Sequence, residues 1–210
     1  MLLAYLYTRE KYDVFAHHIA DLCNRAFLFV CNLCKYSWTK GTRKTNIVTL
    51  GNIRFRTGRS IHTNPTIFVD TENVSISFVN QKNENDYETL THHSNDHHLQ
   101  NPVTICASIY TCVANLHVSS PSTPINRFHN KLLLEVKAVT PEQILESICW
   151  AANKLGFERL GYHPHEVGCH SIQSGAAMAI YLKCVPTFTI MLHGRWCSDA
   201  FLCYIFKQVK

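Results

Sequence analysis

Two stretches near the C-terminus decide how this chain is interpreted: HSIQSGAAMAIYLK, residues 170–183, and GRWCSDAFLCYI, residues 194–205. The sequence predicts helices over about 171–184 and 186–193, and a last helix that begins after Ser198. These segments carry a histidine, a glutamine, a tryptophan and a tyrosine. Each of these side chains is either a packing residue of the core or part of a catalytic site. The surrounding sequence distinguishes the two interpretations.

Clear helix-start signals lie upstream of these stretches. A helix is expected from Pro102 with Asn101 as its N-cap. The segment TPEQ, residues 140–143, combines a threonine cap, an early proline and a glutamine three residues after the cap, and Gly156 closes the helix that follows. Residues 119–124 are interpreted as the linker between these two helices. The C-terminal half is therefore predicted to be helical.

The N-terminal half combines helix and strand patterns. Apolar residues recur at three- and four-residue steps over about 12–36, as in one amphipathic helix or two. The apolar segment 47–53 is a strand candidate. In VSISFVNQ, residues 74–81, apolar and polar residues alternate, which predicts a β-hairpin with Lys82 near its bend. The histidine-rich segment HHSNDHH, residues 92–98, is expected to be a solvated loop rather than a metal site.

Composition places the chain among ordinary globular proteins, with 46% hydrophobic and 17% charged residues over 210 positions. The patterns together predict a mainly α fold with a small antiparallel β-sheet, an α+β class. We expect one domain over residues 1–210, made of a strand and basic-loop region at about 38–92 and a helical region at about 101–210. No apolar run reaches the ~20 residues that a membrane span needs.

Charge and cysteine content bound the possible partners and location. The formal net charge of +5 permits a polyanionic partner without requiring one. The opening MLLAYLYTREKYD has no signal-peptide pattern, so the ten cysteines are interpreted as reduced thiols in an intracellular protein. Six cations lie in or near turn-rich segments, where they are either solvated or face phosphate groups. They are Lys40, Arg43, Lys44, Arg54, Arg56 and Arg59.

The order of the C-terminal residues resembles the catalytic domain of tyrosine recombinases. It is most similar to integrase-like recombinases of eukaryotic mobile elements, whose HSxRxGAAMA and GRWSSDAFLxYI resemble residues 170–179 and 194–205. AFLFVCNLCKYS, residues 26–37, looks like the early helix of that family, and VSISFVNQKN, residues 74–83, looks like its lysine-bearing hairpin. The resemblance covers most of the chain from about residue 20 and is strongest at the C-terminal end.

The resemblance implies a reaction in which a tyrosine hydroxyl attacks a DNA phosphodiester and forms a phosphotyrosine link that a second DNA end reverses. It implies no cofactor. Tyr204 matches the nucleophile, His170 the histidine of the HxxR motif, and Trp196 the histidine-or-tryptophan position. Lys82 matches the hairpin lysine that protonates the leaving oxygen. Taken singly, each of these residues also has an ordinary packing or surface interpretation.

Two departures from the family pattern are expected to impair this reaction. Gln173 stands where the HxxR motif has its second arginine, and Asn32 stands where the early helix has the first. Amides donate neutral hydrogen bonds but bring no charge to the phosphate oxygens. Because losing one preorganised donor costs ~10²-fold to ~10³-fold in rate, two losses predict ~10⁻⁴ of the activity or less. Lys35 or Arg195 are the nearest cations that could substitute.

Two alternatives to catalysis remain open. One is a DNA-binding module that keeps the fold without the reaction. The other is a zinc-binding interaction protein, because two short segments hold six candidate ligands and a zinc site needs four. They are Cys31 and Cys34 in CNLC, and His163, His165, Cys169 and His170 in HPHEVGCH. The sequence alone does not reject either alternative, although i,i+3 cysteines in an apolar helix are more often core residues.

The resemblance also sets expectations about context. It implies double-stranded DNA as the partner, action in the nucleus, and a homo-oligomer on DNA as an allowed assembly. The DNA-binding residues expected are the six loop cations and Arg195. The chain is expected to lack the N-terminal helical domain with which such recombinases clamp the far side of DNA.

Overall fold

The computed structural model describes residues 1–8, 14–31, 46–79, 87–97, 99–130, 134–168, 170–196, 198 and 202. Over these residues the chain forms helices and two antiparallel sheets. The α-helices are α1 (Leu2–Leu6), α2 (Val14–Leu28), α3 (Pro102–Ala114), α4 (Pro141–Leu155), α5 (Phe157–Leu160), α6 (Ser171–Tyr181) and α7 (Thr187–Gly194). Short 3₁₀ turns lie at Leu50–Asn52, Pro65–Asp70 and Pro164–Glu166. The predicted α+β class is confirmed at this level.

The larger sheet has the strand order β2-β1-β3-β4, with every neighbouring pair antiparallel. Its strands are β1 (Ile53–Thr57), β2 (Ser60–His62), β3 (Asn73–Val79) and β4 (Tyr87–His93). A second sheet pairs β5 (Arg127–Asn130) with β6 (Glu135–Ala138). The predicted hairpin is confirmed in its two strands β3 and β4, whereas its bend and Lys82 lie outside the described residues.

The larger sheet has one apolar and one polar face, as alternation along a half-buried strand requires. Phe55, Val74, Ile76 and Phe78 are buried in the main core, together with side chains of α3. On the other face the hydroxyl groups of Ser75 and Thr91 are 2.8 Å apart, and those of Ser77 and Thr89 are 2.9 Å apart. This polar face also carries Arg54 and Arg56, which are opposite Ser75 and Asn73 across β1 and β3.

The predicted helix starts are confirmed in detail. The Asn101 side-chain oxygen accepts hydrogen bonds from the backbone N–H groups of Val103 and Thr104 at 2.9 and 3.4 Å. The Gln143 N–H donates to the Thr140 hydroxyl at 3.3 Å, and the Thr140 N–H donates to the Gln143 side chain at 2.9 Å. Side-chain caps of this kind satisfy N–H groups that have no partner within the helix. Local sequence therefore determines where α3 and α4 begin.

The strand predicted over 47–53 is wrong. Thr49 forms only an isolated bridge to Pro124, and a 3₁₀ turn follows before β1 begins at Ile53. Arg54 and Arg56 therefore lie in a strand and not in a loop, while Arg59 is exposed in the turn between β1 and β2. The physical reason is that Ile53 and Phe55 alternate with arginines and bury one face of β1, a pattern that the basic composition conceals.

Three further predictions need correction. His92 and His93 belong to β4, so the histidine-rich loop starts later than expected. The connection between α3 and α4 holds the β5–β6 hairpin in addition to the segment 119–124. Helix α2 ends at Leu28, well before residue 36, because the backbone turns at Val30. In the part of the chain that is described, no helix is long and apolar enough to cross a membrane.

Helix α2 is buried on nearly all sides, and its polar residues are therefore constrained by neighbours. The carboxylate of Asp21, 6% exposed, accepts hydrogen bonds from the Tyr7 hydroxyl at 2.7 Å and the Ser108 hydroxyl at 2.5 Å. Burial raises the pKa of Asp21 to about 6, although the two hydrogen bonds act in the opposite direction. Asp21 thus joins α1, α2 and α3 through one buried acid.

Candidate functional site

Helix α2 ends in a tight turn that leaves its last carbonyl groups exposed to other elements. The N–H of Cys31 donates to the Ala26 carbonyl at 2.7 Å, and that of Val30 donates to the Phe27 carbonyl at 3.2 Å. This is a Schellman motif, in which Val30 adopts the left-handed conformation with φ of +47°. A β-branched residue is costly there, by ~1–3 kcal/mol, and the complete burial of Val30 offsets that cost.

Helix α7 ends in the same way, beside α2. The N–H of Trp196 donates to the Met191 carbonyl at 3.0 Å, and that of Arg195 donates to the Leu192 carbonyl at 3.1 Å. Arg195 is the left-handed residue here, with φ of +57°. Side chains of α7 then reach the carbonyls at the end of α2, so the two C-terminal turns are in direct contact.

Three side chains cap the carbonyls of Leu28, Phe29 and Val30, and we call them the α2-end cluster: Gln173, His193 and Arg195. The His193 ring nitrogen Nε2 lies 3.2 Å from the Leu28 carbonyl oxygen. Arg195 donates through Nη1 to Phe29 and through Nη2 to Val30, each at 3.1 Å. Gln173 donates through Nε2 to the same Val30 oxygen at 3.2 Å. The negative end of α2 is thereby bound by a cation and by neutral donors.

The Arg195 guanidinium also contacts an aromatic ring. Its Cζ lies 4.1 Å from the ring centroid of Phe78 on β3, a cation–π distance. Nη1 also donates to the His193 carbonyl at 3.3 Å, and Nη2 is 3.6 Å from the Cys31 sulfur. The Arg195 side chain therefore links the ends of α2 and α7 to strand β3.

Two histidines near Arg195 are held neutral. Burial first, and then the charges of His193 and His93, lowers the pKa of His92 to about 4. The pKa of His193 is lowered by burial and by Arg195, against the effects of the Leu28 carbonyl and Glu88. The His92 ring meets the rings of Phe29 and His193 edge to face, with centroids 4.5 and 5.1 Å apart. Around neutral pH, Arg195 is thus the charged member of the α2-end cluster.

The structure brings several of the predicted site residues to this region. Gln173, 6% exposed, and Arg195 meet at the Val30 carbonyl. His170 is exposed at the start of α6, one turn before Gln173, and its carbonyl accepts from the Ser174 N–H at 3.0 Å. Trp196 is half-buried and packs against a small apolar cluster that also includes Leu202. Gln173 and Arg195 thus meet at Val30, which lies 143 and 165 positions before them in sequence.

Three predicted catalytic or arginine-equivalent residues, Tyr204, Lys82 and Asn32, lie outside the described residues. Two of them have described neighbours in sequence that contact Arg195. Cys31 directly precedes Asn32 and contacts Arg195, and Phe78, four positions before Lys82, lies under the guanidinium. Leu202, two residues before Tyr204, packs in the same small cluster as Trp196.

The predicted DNA-binding residues divide into three groups. Arg54 and Arg59 are exposed and Arg56 is half-buried, all on β1 or the turn that follows it. Lys40, Arg43 and Lys44, together with Lys35, fall outside the described residues. Arg195, also predicted to contact DNA, binds backbone carbonyls of α2 in this structure instead. The nearest cation to the missing arginines is therefore already engaged.

The zinc hypothesis gains no ligand set from the geometry. Cys31 is 1% exposed and its sulfur contacts the Phe29 carbonyl oxygen at 3.4 Å. His163 and His165 stack on each other with ring centroids 5.3 Å apart. Among the residues the structure describes, no group of three potential metal ligands converges. Cys34 and Cys169 lie outside that part of the chain.

Sequence reasoning missed His193, His92, Phe78 and Val30. No local signal identifies them, because each acts through a contact with a distant segment. The one available hint was the GRW turn, since a non-glycine residue after the last helical position of α7 has to carry a left-handed conformation.

Comparison with protein-family models, with curated proteins and with solved structures finds no match for this chain. The resemblance to tyrosine recombinases therefore stays an expectation based on the quoted motifs. Function has to be argued from the geometry of the site and from its charges.

Gly194 provides a direct test of how Trp196 is held. A Cβ atom added at Gly194 would lie 1.9 Å from Cζ3 of Trp196, so the indole occupies the space where a side chain would be. We expect Gly194→Ala to displace the indole and lower the free energy of unfolding by ~2–4 kcal/mol. Chemical denaturation followed by circular dichroism measures this loss.

Gly175 provides the matched control for that substitution. It lies in α6, and a Cβ atom there meets nothing within 4 Å. Gly175→Ala should therefore be neutral or stabilising, because alanine favours the helix. Equal stability of the Gly194→Ala variant and the natural chain would show that Trp196 does not depend on this contact.

Proposed function

We propose that this chain is a DNA-binding domain of the tyrosine recombinase type whose strand-cleavage reaction is impaired. The observation that carries the proposal is the meeting of Gln173 and Arg195 at the Val30 carbonyl. His170 precedes α6 and Trp196 follows α7, and Cys31, which comes directly before Asn32 in sequence, contacts Arg195. Gln173 thus meets the immediate neighbour of Trp196 at the end of α2, which supports a shared site.

The electrostatics support impairment rather than full activity. The resemblance requires two guanidinium groups around the non-bridging oxygens of the phosphate, where negative charge concentrates as the nucleophile attacks. Gln173 is neutral, and Arg195 donates to carbonyl groups of α2. His193 and His92, whose pKa values are lowered, add no positive charge near neutral pH. The phosphate would therefore meet hydrogen-bond donors without the usual charge.

The polar face of the larger sheet supports DNA binding. Arg54 and Arg56 point to the same face because they are two residues apart on β1. The exposed hydroxyl groups of Thr89 and Thr91 lie on the same face as Arg54, and hydroxyl groups and arginines are common phosphate ligands. We therefore assign the sequence-independent part of the DNA contact to this face.

Covalent trapping tests the reaction directly. The natural chain and Tyr204→Phe should be incubated with a suicide DNA substrate that carries a nick, and the adduct quantified on denaturing gels. We expect an adduct at no more than ~10⁻⁴ of the rate of an intact family member, and none with Tyr204→Phe. Efficient cleavage by the natural chain would overturn the proposed impairment, and an adduct that survives Tyr204→Phe would exclude Tyr204 as the nucleophile.

Salt dependence tests binding separately. Affinity for a duplex should fall linearly with the logarithm of salt concentration, and each lost phosphate contact should reduce that slope by ~0.9. Arg54→Gln should show this reduction, whereas Arg159→Gln, an exposed arginine on α5, should not. A natural chain without any salt-sensitive DNA binding would refute the proposed function.

A further inference from the structure

We propose that Arg195 is a positioning residue, which fixes α7 and Trp196 against the end of α2, and that it is not a phosphate ligand. The inference rests on the proposed function only in calling the region an active site, since the contacts themselves are independent of DNA. It reassigns one of the two cations, Lys35 and Arg195, that the sequence offers as substitutes at the arginine positions.

The Nη atoms of Arg195 are already engaged by other groups of the protein. A guanidinium group has five N–H donors, and four of them belong to the two Nη atoms. Nη1 donates to the carbonyls of Phe29 and His193, at 3.1 and 3.3 Å. Nη2 donates to the Val30 carbonyl at 3.1 Å and contacts the Cys31 sulfur at 3.6 Å. A bidentate phosphate contact uses either both Nη atoms or Nε with one Nη atom, so it would have to displace at least one of these partners.

The backbone conformation of Arg195 also favours a structural role for its side chain. Arg195 has a left-handed conformation, with φ of +57°, where glycine would be more favourable. The hydrogen bonds of its side chain to the carbonyls of Phe29, Val30 and His193 act against this backbone cost. The contribution is consistent with a cation at the negative end of a helix, where partly buried charges have their largest effect.

Arg195 lies next to Trp196, one of the residues of the proposed site. Trp196 follows Arg195 directly and its N–H completes the terminal turn of α7. The ring of Phe78 lies under the guanidinium, with its centroid 4.1 Å from Cζ. Phe78 comes four residues before Lys82 in sequence. Loosening Arg195 should thus change the environment of Trp196 while leaving distant helices unchanged.

Three substitutions separate the side chain from the backbone. Arg195→Gln removes the charge, Arg195→Gly removes the side chain but favours the left-handed backbone, and Arg195→Lys keeps a charge without the planar fork. We expect Arg195→Gln and Arg195→Gly to lower the melting temperature by roughly 6–10 °C, and Arg195→Lys by about half as much. Arg159→Gln serves as the control and should not change it.

The positioning role has a local spectroscopic readout. The chain has three tryptophans, Trp38, Trp150 and Trp196, and incorporation of 5-fluorotryptophan gives one fluorine resonance for each. Trp196→Phe assigns the resonance of interest. In folded Arg195→Gln the Trp196 resonance should shift or broaden, while that of Trp150, which packs on Tyr5 in the main core, should stay in place.

DNA binding distinguishes positioning from phosphate contact. Below its melting temperature, Arg195→Gln should keep the salt slope of the natural chain, whereas Arg54→Gln should reduce it by ~0.9. A slope reduced by ~0.9 in Arg195→Gln with an unchanged melting temperature would overturn the proposal. The proposal would also be overturned if Arg195→Gly had a melting temperature equal to or above that of the natural chain and an unshifted Trp196 resonance. If the natural chain does not bind DNA, the proposed function fails, and the melting and fluorine experiments still decide the role of Arg195.

Discussion

Restoring arginine at both Asn32 and Gln173 should raise the rate of strand cleavage by about 10⁴-fold above that of the natural chain. Two guanidinium groups would place positive charge beside the non-bridging oxygens of the phosphate. Each preorganised donor increases the rate by ~10²-fold to ~10³-fold. Gln173→Arg alone should not restore cleavage, because the second guanidinium group around the phosphate would still be absent. The adduct assay with a suicide substrate measures all of these rates.

The double variant needs a control for its added charge. Gln173→Lys with Asn32→Lys brings the same two charges without the planar donors, so it should improve DNA affinity but recover much less cleavage. Adding Tyr204→Phe to the double arginine variant should abolish the adduct. If the arginine pair leaves the rate unchanged while the protein stays folded and binds DNA, the assignment of Asn32 and Gln173 as the two arginine positions is wrong.

Asp21 should make the protein less stable as pH rises from about 4 to about 6. Its pKa is 3.8 in an unfolded chain and about 6 in the fold, so the folded state binds the proton more tightly over this range. The free energy of unfolding should therefore fall by ~3 kcal/mol across the window, from this group alone. In Asp21→Asn that component is absent. The difference in stability between the variant and the natural chain should shift by the same amount, in favour of the variant.

His18 provides the matched control, because it titrates in the opposite sense. Burial lowers its pKa from 6.5 to about 4, so its contribution to stability increases as pH rises through that range. The stability difference between His18→Gln and the natural chain should therefore shift against the variant over the same window. Denaturant unfolding at several pH values between 4 and 6.5 measures both differences. A difference for Asp21→Asn that does not vary with pH would show that the carboxyl is not held in this environment.

Local chemistry explains what the sequence could predict. The caps at Asn101 and Thr140 act within three residues, so helices α3 and α4 could be placed from sequence. Alternation in residues 74–79 likewise identified β3. By contrast, β1 was hidden because arginines occupy its polar face, and the β5–β6 hairpin was missed because its strands have only four residues each.

The site needed the folded structure for a different reason. Gln173 reaches the Val30 carbonyl across 143 positions of sequence, and Arg195 reaches that of Phe29 across 166. The motifs in residues 170–179 and 194–205 drew attention to Gln173 and Arg195, but they did not indicate that both side chains bind the end of α2. No pattern within a helix encodes such a contact, since it depends on how separate helix ends meet.

The double capping of Val30 bears on how substitutions accumulate at this site. Its carbonyl receives a cationic donor from Arg195 and a neutral donor from Gln173, so the helix end keeps one partner when the other changes. Position 173 can therefore drift between a guanidinium and an amide with little selection from folding. Under the proposed function, loss of the reaction would therefore be separate from loss of the fold.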